Sequence, residues 1–242
     1  MLQVKRKLTE DEPPRKQRLL PSFVYETVFL PCQYNTDGWH EVRRRFEVTA
    51  STAPDLLGYG YCSRVKRWKI AVGMDENKVT PYQESIMSRG RDMEPDALGL
   101  MQLIWPEREP RAIEGMYYTT EHPWLGATPD GTILCDGKRV PLEIKCPIDT
   151  THFSYDWRKF LKYRIQLEVQ MRCMHAHAGL LFVYHPMQTC WYYWVRPHAG
   201  LWERILRACF EYRDYLRLRQ KPPKMAHDHD FYERFVRRCL EF

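Results

Sequence analysis

Asp130, Glu143 and Lys145 have the types and the spacing to hold a metal ion beside an activated water. Asp130 stands in Thr128-Pro129-Asp130-Gly131, and the other two stand in Leu142-Glu143-Ile144-Lys145. Alternate residues of a strand leave the same face, so a strand over 139–146 projects Glu143 and Lys145 together. Asp136-Gly137, between the strand-like stretches 132–135 and 139–146, is a strong hairpin signal. That hairpin returns the second strand so that Glu143 lies beside Asp130. Two carboxylates make a hard oxygen site suited to Mg²⁺, and a neighbouring lysine can orient or deprotonate water. A phosphodiester needs this help, because the ion neutralises charge developing on the phosphoryl oxygens and supplies a nucleophile at neutral pH. Singly, each piece has an ordinary reading: E-x-K as a salt-bridged strand edge, Pro-Asp-Gly as a turn.

The flanking sequence must position this cluster. A basic stretch after Trp39-His40 reads as helical, and a helix begins near Ala53-Pro54, where Thr49 or Ser51 can cap it. Over 82–105 a helical stripe runs through Ile86, Met87, Met93, Ala97, Leu98, Met101 and Ile104; Gly90 interrupts it and offers a later start, and Pro106 ends it. Met116-Tyr117-Tyr118 reads as a short strand. Residues 156–178 suit a long helix with Phe160, Tyr163, Leu167, Met171 and Met174 near helical spacing. Strands over 180–184 and 190–195 pair around His185-Pro186, and the aromatic run Trp191-Tyr192-Tyr193-Trp194 belongs to the sheet core. An amphipathic helix over 200–220 stops at Pro222-Pro223, and a short helix follows over 231–240. This order implies an α/β fold, a mixed sheet flanked by helices.

Length and composition set bounds. The 242 residues suit one sizeable domain, and a hydrophobic fraction of 44% supplies a core. The expected division is a basic, flexible tail over 1–22 and a single domain over 23–242, with its core at about 39–197 and C-terminal helices at about 200–242. No apolar run approaches the about 20 residues of a membrane span, so an intracellular setting is expected. The formal charge of +6 is too small to prove a polyanionic partner, yet basic islands at 5–18, Arg43-Arg44-Arg45, 64–69 and 204–219 suit phosphate contacts. Lys5-Arg6-Lys7 and Arg15-Lys16-Gln17-Arg18 are spaced like a two-part nuclear localisation signal, which would suit a host nucleus; a solvated tail touching DNA explains them as well. Eight scattered cysteines with no C-x-x-C pair read as reduced, with neither zinc nor disulfide expected. His175 and His177, two apart, read as poor joint ligands, and 227–230 (His-Asp-His-Asp) as a solvated linker.

The assembled motifs resemble those of the lambda-type exonucleases, the YqaJ-like viral recombinase family of the PD-(D/E)xK superfamily. Ala127-Thr128-Pro129-Asp130-Gly131 with Leu142-Glu143-Ile144-Lys145-Cys146-Pro147 is similar to that family's S-P-D-G…E-L/I-K-C-P signature. Gly90-Arg91-Asp92-Met93-Glu94 resembles its G-x-x-x-E helix. The segment from Arg44 through Val48-Thr49-Ala50-Ser51 resembles its R…I-T-A-S segment, and Tyr163-Arg164-Ile165-Gln166 its Y-x-x-Q helix. These matches run in the family's order across 39–171.

The resemblance implies a restriction-endonuclease-like core and a residue-by-residue set of roles. Asp130 and Glu143 become metal ligands, joined by the Ile144 backbone carbonyl, with Glu94 completing the acidic group directly or through water. Lys145 positions the attacking water. Arg44, Ser51 and Gln166 match positions that hold the DNA end and its 5′-phosphate, by forked and hydroxyl donors suited to phosphate. Mg²⁺ is the implied cofactor, with Mn²⁺ substituting. Double-stranded DNA ends are the implied substrate, degraded 5′→3′ in viral or mobile-element recombination, with a single-strand annealing protein and a ring-shaped trimer as implied partners. An endonuclease using the same metal site, and a non-catalytic DNA-binding relative, are the alternatives. This chain departs from the pattern in two places. Three successive arginines leave the phosphate-binding one open by a residue, and Glu168 stands where the family often has a second glutamine, with Gln170 beyond it.

Overall fold

A computed structural model of the protein describes residues 4–8, 25–33, 36–76, 78–150, 157–225 and 229–240, with backbone alone for 4–8, 157 and 237–240. Its strands are β1 (Val4–Leu8), β2 (Thr27–Pro31), β3 (Val48–Thr49), β4 (Arg111–Ala112), β5 (Gly115–Thr119), β6 (Leu125–Gly126), β7 (Gly131–Cys135), β8 (Lys138–Lys145), β9 (Gly179–Val183) and β10 (Cys190–Val195). Its helices are α1 (Asp37–Arg44), α2 (Ala53–Leu56), α3 (Arg64–Ala71), α4 (Pro81–Ile104), α5 (Trp157–Cys173), α6 (Ala199–Arg217) and α7 (His229–Leu240).

The main sheet has the order β1-β10-β9-β8-β7-β4, antiparallel except where β8 runs parallel to β9 and β1 parallel to β10. This is the expected mixed sheet with helices. The β8–β9 parallel pair requires a crossover, and α5 is that crossover, laid back across the sheet. Strands β8 and β9 are buried along most of their length because α5 covers them, and Phe160, Leu161, Ile165, Leu167, Val169 and Met171 of α5 are fully buried. Phe160 meets Tyr193 of β10 edge-on at 5.1 Å. Burial of each such side chain contributes about 1.5–3 kcal/mol. Helices α2, α6 and α7 pack on the other side of α5.

Four sequence expectations change. Val4–Leu8 was expected within a tail, but it pairs in register with Cys190 to Trp194 as an edge strand. Its lysines alternate with Val4, Arg6 and Leu8, a charged pattern that edge strands tolerate; the second basic cluster lies outside the described residues. Helix α4 begins at Pro81 and runs straight through Gly90 and even Pro95. A Thr80–Gln83 capping box supplies the start that the break at Gly90 was expected to supply. Thr52, rather than Thr49 or Ser51, precedes α2, and its hydroxyl accepts the Thr49 N–H at 2.9 Å instead of capping the helix. His175, read as helical, lies beyond α5 with φ 49°, in the left-handed region. The elements β2 and α3 had no strong period in the sequence; β2 is held by pairing with β5.

Candidate active site

The β7–β8 hairpin places Asp130 as expected. Asp136 and Gly137 turn the chain with φ 49° and 72°, and the register pairs Gly131 with Leu142, so Asp130 falls beside Glu143. Asp130 Oδ2 accepts the Ile144 N–H at 2.7 Å and lies 3.5 Å from Lys145 Nζ. Lys145 Nζ is also paired with Glu143 Oε1, and Glu143 is fully buried. The ammonium therefore lies between two carboxylates on one face of the hairpin.

A second layer comes from α5. Gln166 Nε2 donates to Glu143 Oε1 and Gln170 Nε2 to Glu143 Oε2, each at 2.5 Å. Residues four apart share a helix face, so this pair grips both oxygens of one carboxylate. Glu168 points elsewhere. It is itself fully buried, with Arg164 at 2.7 Å, Arg172 at 2.9 Å and the His198 N–H at 3.1 Å. Gln170 is thus the second glutamine of the site, two positions beyond the family's usual place. The i, i+4 spacing from Gln166 is the signal in the sequence that could have identified it.

Helix α4 brings Glu94. Arg89 of that helix donates to the carbonyls of Cys146 and Pro147 at 3.1 and 3.3 Å, tying α4 to the end of β8. Burial, and then Asp130, push the Glu94 carboxyl up to about 8; Lys145 opposes the shift and Glu143 adds to it. Burial and Asp130 likewise push Glu143 up to about 7, against the pull of Lys145. Burial works against the Lys145 charge, but Asp130 and Glu143 outweigh it and hold the ammonium well above its ordinary value. Cys146 is half-buried next to this group, and burial first, then Glu94, raises its thiol to about 12, so it packs rather than attacks.

The donor set fits a hard divalent cation. Glu94 and Glu143 are raised by burial first and by Asp130 second, while Lys145, and Arg91 at Glu94, oppose the rise. Ligand oxygens of Asp130, Glu143 and Glu94 do not all lie within 4.8 Å of one another, so the three are neighbours rather than a closed cage. Thr128 Oγ1 and Gln170 Oε1 are buried polar atoms without a hydrogen-bond partner, and the Gln170 amide reaches both Glu143 and the Thr128 carbonyl.

The end-binding candidates are only partly assembled as expected. Ser51 accepts a hydrogen bond from Arg43 at 2.6 Å, and the same guanidinium nitrogen donates to Thr49 at 3.0 Å. Arg44 instead donates to the His40 carbonyl and is exposed. The reason is helical phase: Trp39 is the buried residue of α1, and Arg43, four residues on, shares its face and lies 5.1 Å from its ring. Pairing of β3 with β6, extended by the Ala50 N–H to Gly126 carbonyl bond at 2.8 Å, links this Arg43–Ser51 group to the segment entering Asp130.

One other donor group was not foreseen. Cys135, Asp136 and His177 meet at the hairpin tip, with one ligand atom from each within 4.8 Å of the others. It lies at the opposite end of β7 from Asp130. Each described cysteine is a free thiol.

A carboxylate-and-lysine cluster at the mouth of a hairpin in a mixed sheet, backed by a crossover helix, is the PD-(D/E)xK arrangement, and the protein has that fold. The model of the YqaJ-like viral recombinase domain matches residues 38–178, more than half of the chain, and the chain belongs to that family. Solved structures agree on the fold. The crystal structure of LHK-Exo in complex with dAMP is similar at TM-score 0.59 and 19% identity, covering 76% of this chain and 94% of that one. The alkaline exonuclease LHK-Exo from Laribacter hongkongensis is similar at TM-score 0.58, with 19% identity and the same coverage. A phage-related exonuclease from Haemophilus somnus follows at 0.52 and 11%, covering 71% and 94%. No curated protein matches the chain.

Proposed function

We propose that the protein is a Mg²⁺-dependent exonuclease that degrades double-stranded DNA from 5′ ends and leaves a 3′ single strand. Glu143 carries this reading. A fully buried carboxylate held by two glutamine amides and a lysine, beside Asp130, has more negative neighbours than a structural ion pair needs. Membership of the YqaJ-like family supports the polarity and substrate, and a similar protein, LHK-Exo, has been crystallised with a mononucleotide, dAMP.

Asp130, Glu143 and the Ile144 carbonyl would hold the ion, with Glu94 completing the set. When bound, the ion supplies charge neutralisation at the phosphoryl oxygens and a water of lowered pKa. Lys145, protonated and fixed between Asp130 and Glu143, donates to the attacking water and offsets charge as the phosphoryl group becomes more negative. Gln166 and Gln170 fix both Glu143 oxygens, which keeps the ligand aimed inward. Arg43 with Ser51 receives the 5′-phosphate, and Gln166 is the further end-binding residue that the family pattern implies. A single-strand annealing protein and a ring-shaped homo-oligomer accompany this reading as partners.

The test compares linear and covalently closed circular duplexes with Mg²⁺ and with EDTA. Loss of the linear DNA alone, faster with a 5′-phosphate and only with Mg²⁺, is the expected result. Cutting of the circle would establish an endonuclease instead, and binding without cutting would establish a non-catalytic relative.

A further inference from the structure

Beside the catalytic lysine lies an aromatic and ammonium pair outside the motifs just described. Tyr61 keeps 92% of its surface exposed, the most exposed large apolar or aromatic side chain among the described residues. Its loop is nevertheless pinned. Asp55, itself buried, accepts the Cys62 N–H at 3.1 Å and pairs with Arg67 at 2.5 Å. The Tyr59 and Gly60 N–H groups both donate to the Pro54 carbonyl, at 2.9 and 3.0 Å. Gly60 presses on Asp55 so closely that a Cβ there would stand 1.8 Å from Oδ1. The backbone on both sides of Tyr61 is therefore fixed, and the ring stays largely open to solvent with its hydroxyl toward Lys162 and Tyr163.

One face of that ring meets Lys162 of α5, whose Nζ lies 3.3 Å from its centroid. Lys162 is only 9% exposed, and no carboxylate pairs with it among the described residues. Burial pulls its pKa down, opposed by Tyr61. The ammonium rests on aromatic rings, with Asp55 acting on it only through space and no ion pair among the described residues. Burial of that kind is costly, which suits a group that meets a phosphate in a complex. Its neighbour Tyr163 carries both ammonium groups of this region, Lys162 at 4.3 Å and Lys145 at 5.5 Å from the ring centroid. Lys162 is thus one aromatic ring away from the catalytic lysine.

We propose that Tyr61 and Lys162 form a nucleotide subsite next to the scissile phosphate, where the open face of Tyr61 stacks on a base and Lys162 binds a neighbouring phosphate of the same strand. The proposal rests on the DNA-end reading above. Stacking on an aromatic ring is tolerant of sequence because every base has a π face, which matches an enzyme that must step along DNA.

The experiment uses full-length protein and 5′-phosphorylated duplexes with 2-aminopurine at the first, second or third nucleotide, bound in Ca²⁺ and cleaved in Mg²⁺. Wild type should quench one position. Tyr61→Ala should remove that quench and raise KM between about fivefold and a hundredfold, with kcat within about threefold, and Tyr61→Trp should restore both. Lys162→Met should reduce the slope of log affinity against log salt by about 0.9, and Lys162→Arg should keep it. Quenching and KM unchanged by Tyr61→Ala, or a salt slope unchanged by Lys162→Met, would overturn the subsite. Tyr61 is too exposed for its loss to threaten folding, so it decides the question if Lys162→Met does not fold. If wild type quenches at an end but cuts nothing, the nuclease reading fails and the subsite stands; if wild type cuts and Tyr61→Ala behaves identically, the reverse holds.

Discussion

At one end of the β7–β8 hairpin stand Asp130, Glu143 and Lys145; at the other, where Asp136 and Gly137 turn the chain, Cys135 and Asp136 meet His177. Both ends of the hairpin bring potential metal donors together, at the tip with His177 added from beyond α5. At the mouth, the Glu143 side chain is fully buried, Asp130 is 17% exposed, and hydrogen bonds from Ile144, Gln166 and Gln170 hold the carboxylates. At the tip, the Asp136 side chain is 84% exposed and lies 3.5 Å from a His177 that is 40% exposed. Burial there raises the Cys135 thiol, Asp136 adds to this, and Arg108 and Arg196 oppose it with two positive charges that would repel a cation. Donor identity alone does not make a reaction centre. Low dielectric and a second layer of fixed partners do, because they stop the ligands from relaxing into water.

The largest effect should come from the mouth. Asp130→Asn or Glu143→Gln is expected to lower kcat at least about a thousandfold while DNA-end binding survives, measured by single-turnover cleavage and by equilibrium binding. Cleavage within tenfold of wild type would remove these residues from the chemistry. Gln170→Ala, which frees one Glu143 oxygen, should weaken activity or metal affinity about 10- to 100-fold, read by Mg²⁺ titration of the rate. An unchanged titration would show that the second layer is packing only.

The pH dependence of stability sharpens the comparison further. Glu94 at about 8 and Glu143 at about 7 both exceed their ordinary value of 4.5. The folded chain therefore binds more protons than the unfolded chain between those limits, and metal-free stability falls as pH rises through that window. Tm measured in EDTA should drop between pH 5.5 and 8.5, and Mg²⁺ should raise Tm more at pH 8.5 than at 5.5. A larger Mg²⁺ effect at the lower pH would contradict the acidic cluster as the binding site. The smallest effect belongs to the tip: Cys135→Ala and His177→Ala should each keep nuclease activity within about twofold and stability within about 0.5 kcal/mol. A tip variant that loses cleavage would dissolve the distinction between the two ends.

Legibility in the sequence followed the strength of local signals. The hairpin could be read because Asp136-Gly137 and alternating strands are short-range features, and the paired carboxylates came with it. Arg43 could have been separated from Arg44 by taking Trp39 as the buried side of α1. The break at Gly90 misled because its cost in a helix, about 1 kcal/mol, is less than what capping and packing supply along α4. Val4–Leu8 carries too much charge to read as a strand; pairing with β10 makes it one.

By itself, then, the sequence determined the α/β order, the hairpin and the types of residue that meet at its mouth, since these depend on period, turn chemistry and spacing along the chain. Tertiary structure alone decided that Lys162 lies under Tyr61, and it settled what helical spacing only narrowed: that Gln170 rather than residue 168 completes the grip on Glu143, and that Arg43 faces Ser51. Those contacts depend on how one helix is rotated against its neighbours, and that rotation is set by the packing of the whole core.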